Sequence, residues 1–190
     1  MKKIPSLFKR NYETHKIYNE ITEGCEWVIK GEGTPTRKFD GTACMIMNDK
    51  LYKRYDYKKG RRIVVTVDNI PCQEAPDPET GHWPWWVPIE KNDKYHKEAF
   101  ERMPIIKLDG TYELCGPKIN GNPEGLDFHV LIKHGVFKLE NCPTQFDVLP
   151  QYMIDKKIEG IVWYRNGYLI DEEIEMCKIK LKDFGIKRRK

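Results

Sequence analysis

Short runs of strand-forming residues recur along the chain, several of them handed to a neighbour by a tight-turn signal. Thr42 to Met47 and Leu51 to Tyr55 flank Asn48-Asp49-Lys50, and Ile105 to Leu108 and Thr111 to Cys115 flank Asp109-Gly110. Ile161 to Tyr164 and Tyr168 to Ile170 flank Arg165-Asn166-Gly167. Turns this short join antiparallel strands, because parallel strands need a long crossover. Further strands are predicted at Trp27-Val28-Ile29, Val64 to Val67, Phe128 to Ile132 and Glu175 to Leu181. Helices are predicted over Lys91 to Met103 and from a Thr144 cap to about Asp155. Leu7 to Ile21 is charged and aromatic with loose periodicity, and fits a helix or an irregular lead-in. The expected class is α+β, with antiparallel sheets and flanking helices.

A chain of 190 residues suits one domain with a real core, and no linker divides it, so residues 1–190 are expected to form a single domain. With 39% hydrophobic and 33% charged residues the composition is that of a globular protein. No apolar run approaches a membrane span, and Met1 to Ser6 lacks the apolar core of a signal peptide. The six cysteines contain no Cys-x-x-Cys pair, which argues against a zinc site or disulfide framework and fits reduced thiols in a cytoplasm. The net charge of +4 is modest, but Lys178, Lys180, Lys182, Lys187, Arg188, Arg189 and Lys190 crowd one end and suit a polyanionic partner. Nothing calls for an obligate protein partner. The loop from Pro71 to Pro88 carries Gly81-His82-Trp83-Pro84-Trp85-Trp86. Its tryptophans either stack on single-stranded bases or anchor the loop to the core, and anchoring is the commoner use.

Chemistry concentrates at Thr36 to Ala43, Thr-Arg-Lys-Phe-Asp-Gly-Thr-Ala, and above all at Lys38. A lysine attacks phosphorus or carbonyl carbon only as the neutral amine, so it must be desolvated or stand near other positive charge. Lys-x-Asp-Gly alone is a short pattern. Downstream lie Arg54 at the expected end of a strand, Glu113 in Tyr-Glu-Leu-Cys-Gly-Pro-Lys, Glu159 in Ile-Glu-Gly-Ile-Val-Trp, and Lys178 and Lys180 in Cys-Lys-Ile-Lys-Leu-Lys. Residues two apart in a strand share a face, so Lys178 and Lys180 project together as a cationic pair fit for an α-phosphate. Glu113 and Glu159 suit ribose hydroxyls or a metal. The glycines match no Walker loop and no dinucleotide fingerprint.

In this order the motifs resemble those of the covalent nucleotidyltransferases, the polynucleotide ligases and mRNA capping enzymes. Lys38-x-Asp40-Gly41 resembles their first motif. Glu113-Leu114-x-Gly116, Glu159-Gly160-Ile161-Val162 and Lys178-x-Lys180 resemble the third, fourth and fifth, and Asp127-Phe128 the motif whose aromatic stacks on adenine. The nearest likeness is to a family of small ATP-dependent RNA ligases that includes a vertebrate 5′-phosphate to 3′-hydroxyl RNA ligase. It is carried by Thr36-x-Lys38-x-Asp40-Gly41-Thr42, Gly81-His82-x-Pro84-x-Trp86-Val87-Pro88, Asn120-Gly121-Asn122-Pro123-x-Gly125-Leu126 and Lys157-Ile158-Glu159-Gly160-Ile161-Val162-Trp163.

The resemblance implies a nucleotidyltransferase core and three steps. Lys38 takes AMP from ATP, AMP passes to an RNA 5′-phosphate, and a 3′-hydroxyl displaces it. It implies magnesium or manganese near Glu159, Asp40 and Glu113, and a nucleotide held by Thr36, Arg37, Asp40, Gly41, Arg54, Glu113, Phe128 and Glu159. Lys178 and Lys180 would contact the α-phosphate. Arg37 departs from the pattern, since many ligases place glutamate there. The chain ends soon after the fifth motif, so a bare catalytic core without an OB domain is expected. Arg61, Arg62, Lys187, Arg188, Arg189 and Lys190 are then expected to contact RNA phosphates in a repair reaction. The alternatives are a GTP-using capping guanylyltransferase, a non-catalytic RNA-end binding protein and, more remotely, a DNA nick-sealing ligase.

Overall fold

The computed structural model describes residues 3–11, 13–14, 16–58, 66–78, 80–165 and 175–188. The elements, in chain order, are β1 (Phe8–Arg10), β2 (Ile17–Ile21), α1 (Glu26–Ile29), β3 (Gly33–Lys38), β4 (Thr42–Met47), β5 (Lys50–Tyr57), β6 (Ile70–Pro71) and β7 (Trp83–Pro88). They continue with α2 (Lys94–Glu101), β8 (Gly110–Cys115), β9 (Val130–Lys133), α3 (Leu149–Asp155), β10 (Gly160–Arg165), β11 (Glu175–Lys180) and a 3-10 helix, Leu181–Phe184. All strand pairs between these elements are antiparallel, as the turn chemistry requires, and the class is α+β. Two compact units form, one spanning Asp40–His134, the other Lys3–Phe39 with Gly135–Lys190.

The first unit is built on a six-stranded sheet in the order β6-β7-β5-β4-β8-β9. Asn48 and Asp49 both adopt positive φ, 50° and 56°, the tight turn that matches the twist of the β4–β5 hairpin. Cys44, Ile46, Leu51, Tyr112 and Leu114 line one face and bury against Ala99 of α2. Tyr52, Trp86 and Cys72 anchor the other, with Ala43 and Met45 beside them. Trp85 and Trp86 are buried within β7, so these tryptophans anchor their segment. They do so from within a strand.

The second unit carries a three-stranded sheet, β11-β10-β3, and the β1–β2 hairpin. Ile161, Trp163, Cys177 and Ile179 alternate onto one face and pack with Leu7, Phe8, Trp27, Leu149 and Met153. Leu149 and Met153 stand one turn apart on α3, where the helix start is eased by Pro150. A segment at 135–139 runs along the outer edge of β3, with the Arg37 N–H donating to the Phe137 carbonyl at 2.8 Å and the Leu139 N–H to that of Pro35 at 2.9 Å.

Several local expectations are corrected. Leu7 to Ile21 is neither helix nor irregular lead-in but contains the β1–β2 hairpin, its turn held by the Asn11 carboxamide accepting from the N–H groups of Glu13 and Thr14. Trp27-Val28-Ile29 is not a strand but the body of α1, stopped by Gly31 at φ 74°; three apolar residues carry no period to distinguish the two. Ile105 to Leu108 forms no strand, and β8 pairs with β4 and β9 instead. Thr144 caps no helix, since α3 starts at Leu149 after Val148. The Phe128 to Ile132 strand is shifted to Val130–Lys133. Val64 and Val65, Asn166 and Gly167, and Tyr168 to Ile170 lie outside the described residues. Among the described residues no disulfide joins the six cysteines, and no helix is long and apolar enough to cross a membrane.

Candidate active site

In the second unit, strand register decides what stands beside Lys38. Lys38 opposes Gly160, and Gly160 opposes Lys180. Two residues along, Thr36 opposes Val162, which opposes Lys178. Directly opposed residues share a face, so Lys38, Lys178 and Lys180 all project from the side opposite Ile161 and Ile179. Gly160 is what lets the row close up. A Cβ there would come within 2.3 Å of the Ile179 carbonyl oxygen and 3.2 Å of Lys180 Cγ.

Glu159 is delivered by the turn that follows α3. Lys157 takes a positive φ of 53°, and the Ile158 N–H donates to the Met153 carbonyl at 3.1 Å, burying Ile158. Arg188 braces this turn by donating to the Lys157 carbonyl at 2.8 Å. Glu159 then accepts a hydrogen bond from Lys38 Nζ at 2.6 Å, while Nζ also reaches the Phe39 carbonyl at 3.2 Å. The Lys180 ammonium is disfavoured chiefly by burial, with Lys182 and Lys38 pushing the same way against Asp183 and Glu159, so its pKa falls below the ordinary 10.5. Asp183, 1% exposed, accepts from the Lys180 N–H at 2.9 Å and from Arg10 at 2.6 Å, which fixes the end of β11.

Two residues of the same stretch behave differently. Thr36 is buried, and its hydroxyl donates to the Val162 carbonyl at 2.9 Å, tying β3 to β10. Arg37 lies on the face away from Lys38, its guanidinium 4.5 Å from the centre of the Phe39 ring.

In the first unit, the Asp40-Gly41 corner is held by four hydrogen bonds. Glu124 accepts from the Asp40 N–H at 3.0 Å and Glu113 from the Gly41 N–H at 3.1 Å. Asn120 donates to the Asp40 carboxylate at 3.0 Å and to the Gly41 carbonyl at 2.8 Å. Only glycine fits at 41, since a Cβ would lie 2.1 Å from the Leu114 carbonyl oxygen. The other Glu113 oxygen meets His134 Nε2 at 2.9 Å, and His134 Nδ1 meets the Thr111 hydroxyl at 3.0 Å. Glu113 is thus inside β8 and engaged at both oxygens, not an open carboxylate at a strand end. Arg54 is also inside its strand, β5, with Nε 3.1 Å from Asp56. Met45 opposes both Tyr52 and Thr111, so Arg54 and Glu113 share one sheet face. Phe128 is half exposed, and its ring lies 5.0 Å from the guanidinium of Arg102 at the end of α2.

Sequence reasoning missed Asn120 and Glu124 as partners of the Asp40-Gly41 corner, and His134, Asp183 and Arg10 altogether. Asn120 lay in a stretch already singled out, and its positive φ of 48° marks a shaped loop. Glu124, His134 and Arg10 are joined to their partners by contacts that no local pattern encodes, whereas Asp183 closes on the Lys180 N–H three residues before it. Among the described residues no three His, Cys, Asp or Glu side chains gather as a metal cluster. Arg61, Arg62, Arg189 and Lys190 lie outside the described residues, and Lys187 is exposed.

Comparison with known proteins now bears on this geometry. The family model of RNA ligase 1 matches residues 96–182, a span that holds Glu113, Phe128, Glu159, Lys178 and Lys180. RNA ligase 1 of Pongo abelii is 31% identical over 72% of this chain and 64% of its own length. That of Rattus norvegicus is 30% identical over 71% of this chain and 64% of its own. That of Danio rerio is 30% identical over 64% of this chain and 54% of its own. The chain therefore spans less than two thirds of these relatives.

Proposed function

We propose that this chain, similar to RNA ligase 1 over residues 96–182, is an ATP-dependent RNA ligase that works through a lysyl–AMP adduct on Lys38. The observation that carries this reading is the cationic row beside one lysine: Lys38 bonded to Glu159, with Lys178 and Lys180 on the same sheet face. A nucleotidyltransferase core of the Lys-x-Asp-Gly type needs that set.

In the first step the neutral Lys38 amine attacks the α-phosphorus of ATP. An N–P bond forms, the P–O bond to pyrophosphate breaks, and the amine proton is lost. Glu159 stands where it can take that proton, being the carboxylate already bonded to Nζ at 2.6 Å. Lys178 and Lys180 hold the α-phosphate oxygens as charge builds on them. Thr36 contributes by fixing β3, and so acts through the strand that carries the nucleophile. AMP then passes to an RNA 5′-phosphate and is displaced by a 3′-hydroxyl.

A magnesium ion needs few protein ligands when phosphates supply the rest, so Glu159 with the nucleotide would suffice, no carboxylate cluster being formed among the described residues. Bound there, it would neutralise charge on the transferring phosphate. Glu113 suits this task less, with both oxygens engaged by Gly41 and His134.

The test is a joining assay with ATP, magnesium and RNA bearing a 5′-phosphate and a 3′-hydroxyl. Joined product, preceded by an adenylylated 5′ end, supports the reading. Label from GTP but not ATP would redirect it to capping, and RNA binding without any adduct would make the chain an end-binding protein.

A further inference from the structure

We infer that Phe137, Phe39 and Arg37 form a stacking platform for an unpaired base of the RNA strand whose end is activated, an inference that rests on the ligase reading above. Three observations support it. Phe137 is 51% exposed although it borders β3, the strand that ends in Lys38. Phe39 meets it edge to face with ring centres 5.1 Å apart, and the Arg37 guanidinium lies 4.5 Å from the Phe39 ring centre. An exposed π surface backed by a guanidinium is the combination that takes bases of any sequence, through stacking and cation–π attraction.

Charge and position select the occupant. Thr36 bridges Lys138, so the exposed Lys138 side chain belongs to the face that carries Lys38, while Phe137 and Arg37 belong to the other. A strand whose terminal phosphate meets Lys38 and whose backbone turns over the β3 edge passes cationic groups on both sides, Lys138 and then Arg37. Its base then meets an aromatic ring. A protein partner would have little use for a single phenylalanine between two cations, whereas single-stranded RNA offers alternating phosphate and base. The platform also gives a place to Arg37, whose guanidinium lies 4.5 Å from the centre of the Phe39 ring.

The experiment measures binding of a 5′-phosphorylated single-stranded RNA to wild-type, Phe137→Ala and Phe137→Trp protein, beside labelling of Lys38 by ATP. Phe137→Ala should bind about tenfold more weakly, the worth of one stacked base, and Phe137→Trp should bind at least as well as wild type. Labelling by ATP should be equal in all three. A series of RNAs with one abasic site each should contain a position that weakens wild type by a similar factor and Phe137→Ala no further. Equal affinity of Phe137→Ala and wild type, or losses that simply multiply at every abasic position, overturns the platform and leaves the ligase reading standing. A wild-type protein that neither labels nor binds RNA overturns both.

Discussion

Lys38 Nζ lies 2.6 Å from Glu159 Oε2, and the two residues reach each other across adjacent strands. Lys38 closes β3, and Glu159 immediately precedes its cross-strand neighbour Gly160. The pair sets the lysine beside a carboxylate placed to receive its proton. Glu159→Gln keeps the size and a hydrogen-bonding oxygen but removes the charge. It should slow adduct formation about 100-fold with little change in melting temperature, a loss in the range of one misplaced general base. Single-turnover labelling with ATP measures it, and an unchanged rate would detach Glu159 from the chemistry.

Glu113 is 9% exposed and accepts from the Gly41 N–H. Glu113→Ala leaves that half-buried N–H without its acceptor and should cost about 1 kcal/mol in denaturant unfolding. Glu113→Gln retains an oxygen for Gly41 and should recover most of the loss. Equal stability of Glu113→Ala and wild type would contradict the bracing role.

Gly160→Ala forces a Cβ against the Ile179 carbonyl, at 2.3 Å in the unrelaxed geometry. Backbone does not yield as a flexible side chain does, so the β10–β11 ladder must spread. About 1–3 kcal/mol of stability should be lost. Lys38 labelling should fall more steeply than stability predicts, because the spread also displaces Lys180. Thermal melts beside labelling rates separate the two effects.

The lowered pKa of Lys180 gives stability and activity opposite slopes. Folding disfavours its charged form, so between the lowered pKa and the ordinary 10.5 the unfolded chain binds more protons than the folded one. Stability from this group therefore rises with pH through that window and is fully present above 10.5. The phosphate contact needs the cation, so labelling should fall through the same window, at a pH below that of an ordinary lysine. Lys180→Arg keeps its charge there and should move the alkaline fall upward. A pH profile identical to wild type would contradict the assignment.

Much of this arrangement was legible because it follows from periods and turns. Alternation in Cys177 to Lys180 put the two lysines on one face before any register was known. Asn48-Asp49 announced the β4–β5 hairpin. What stayed hidden depends on contacts distant in sequence. Nothing in Tyr-Glu-Leu-Cys says that Glu113 engages Gly41 and His134. Nothing around Asp40 says that Asn120 and Glu124 close on it, 80 and 84 residues away. Trp27-Val28-Ile29 was misread because its composition suits a strand, whereas Trp27 packs as a helical residue with its indole N–H donating to the Gly24 carbonyl. The two passages of the chain between its compact units, at Phe39–Asp40 and His134–Gly135, carry no shift in composition.

The central claim is covalent chemistry at Lys38, and intact-protein mass after incubation with ATP and magnesium tests it most directly. The account predicts a gain of one AMP that added pyrophosphate reverses and that Lys38→Ala abolishes. An adduct that persists on Lys38→Ala, or a wild-type mass that ATP leaves unchanged, would contradict it.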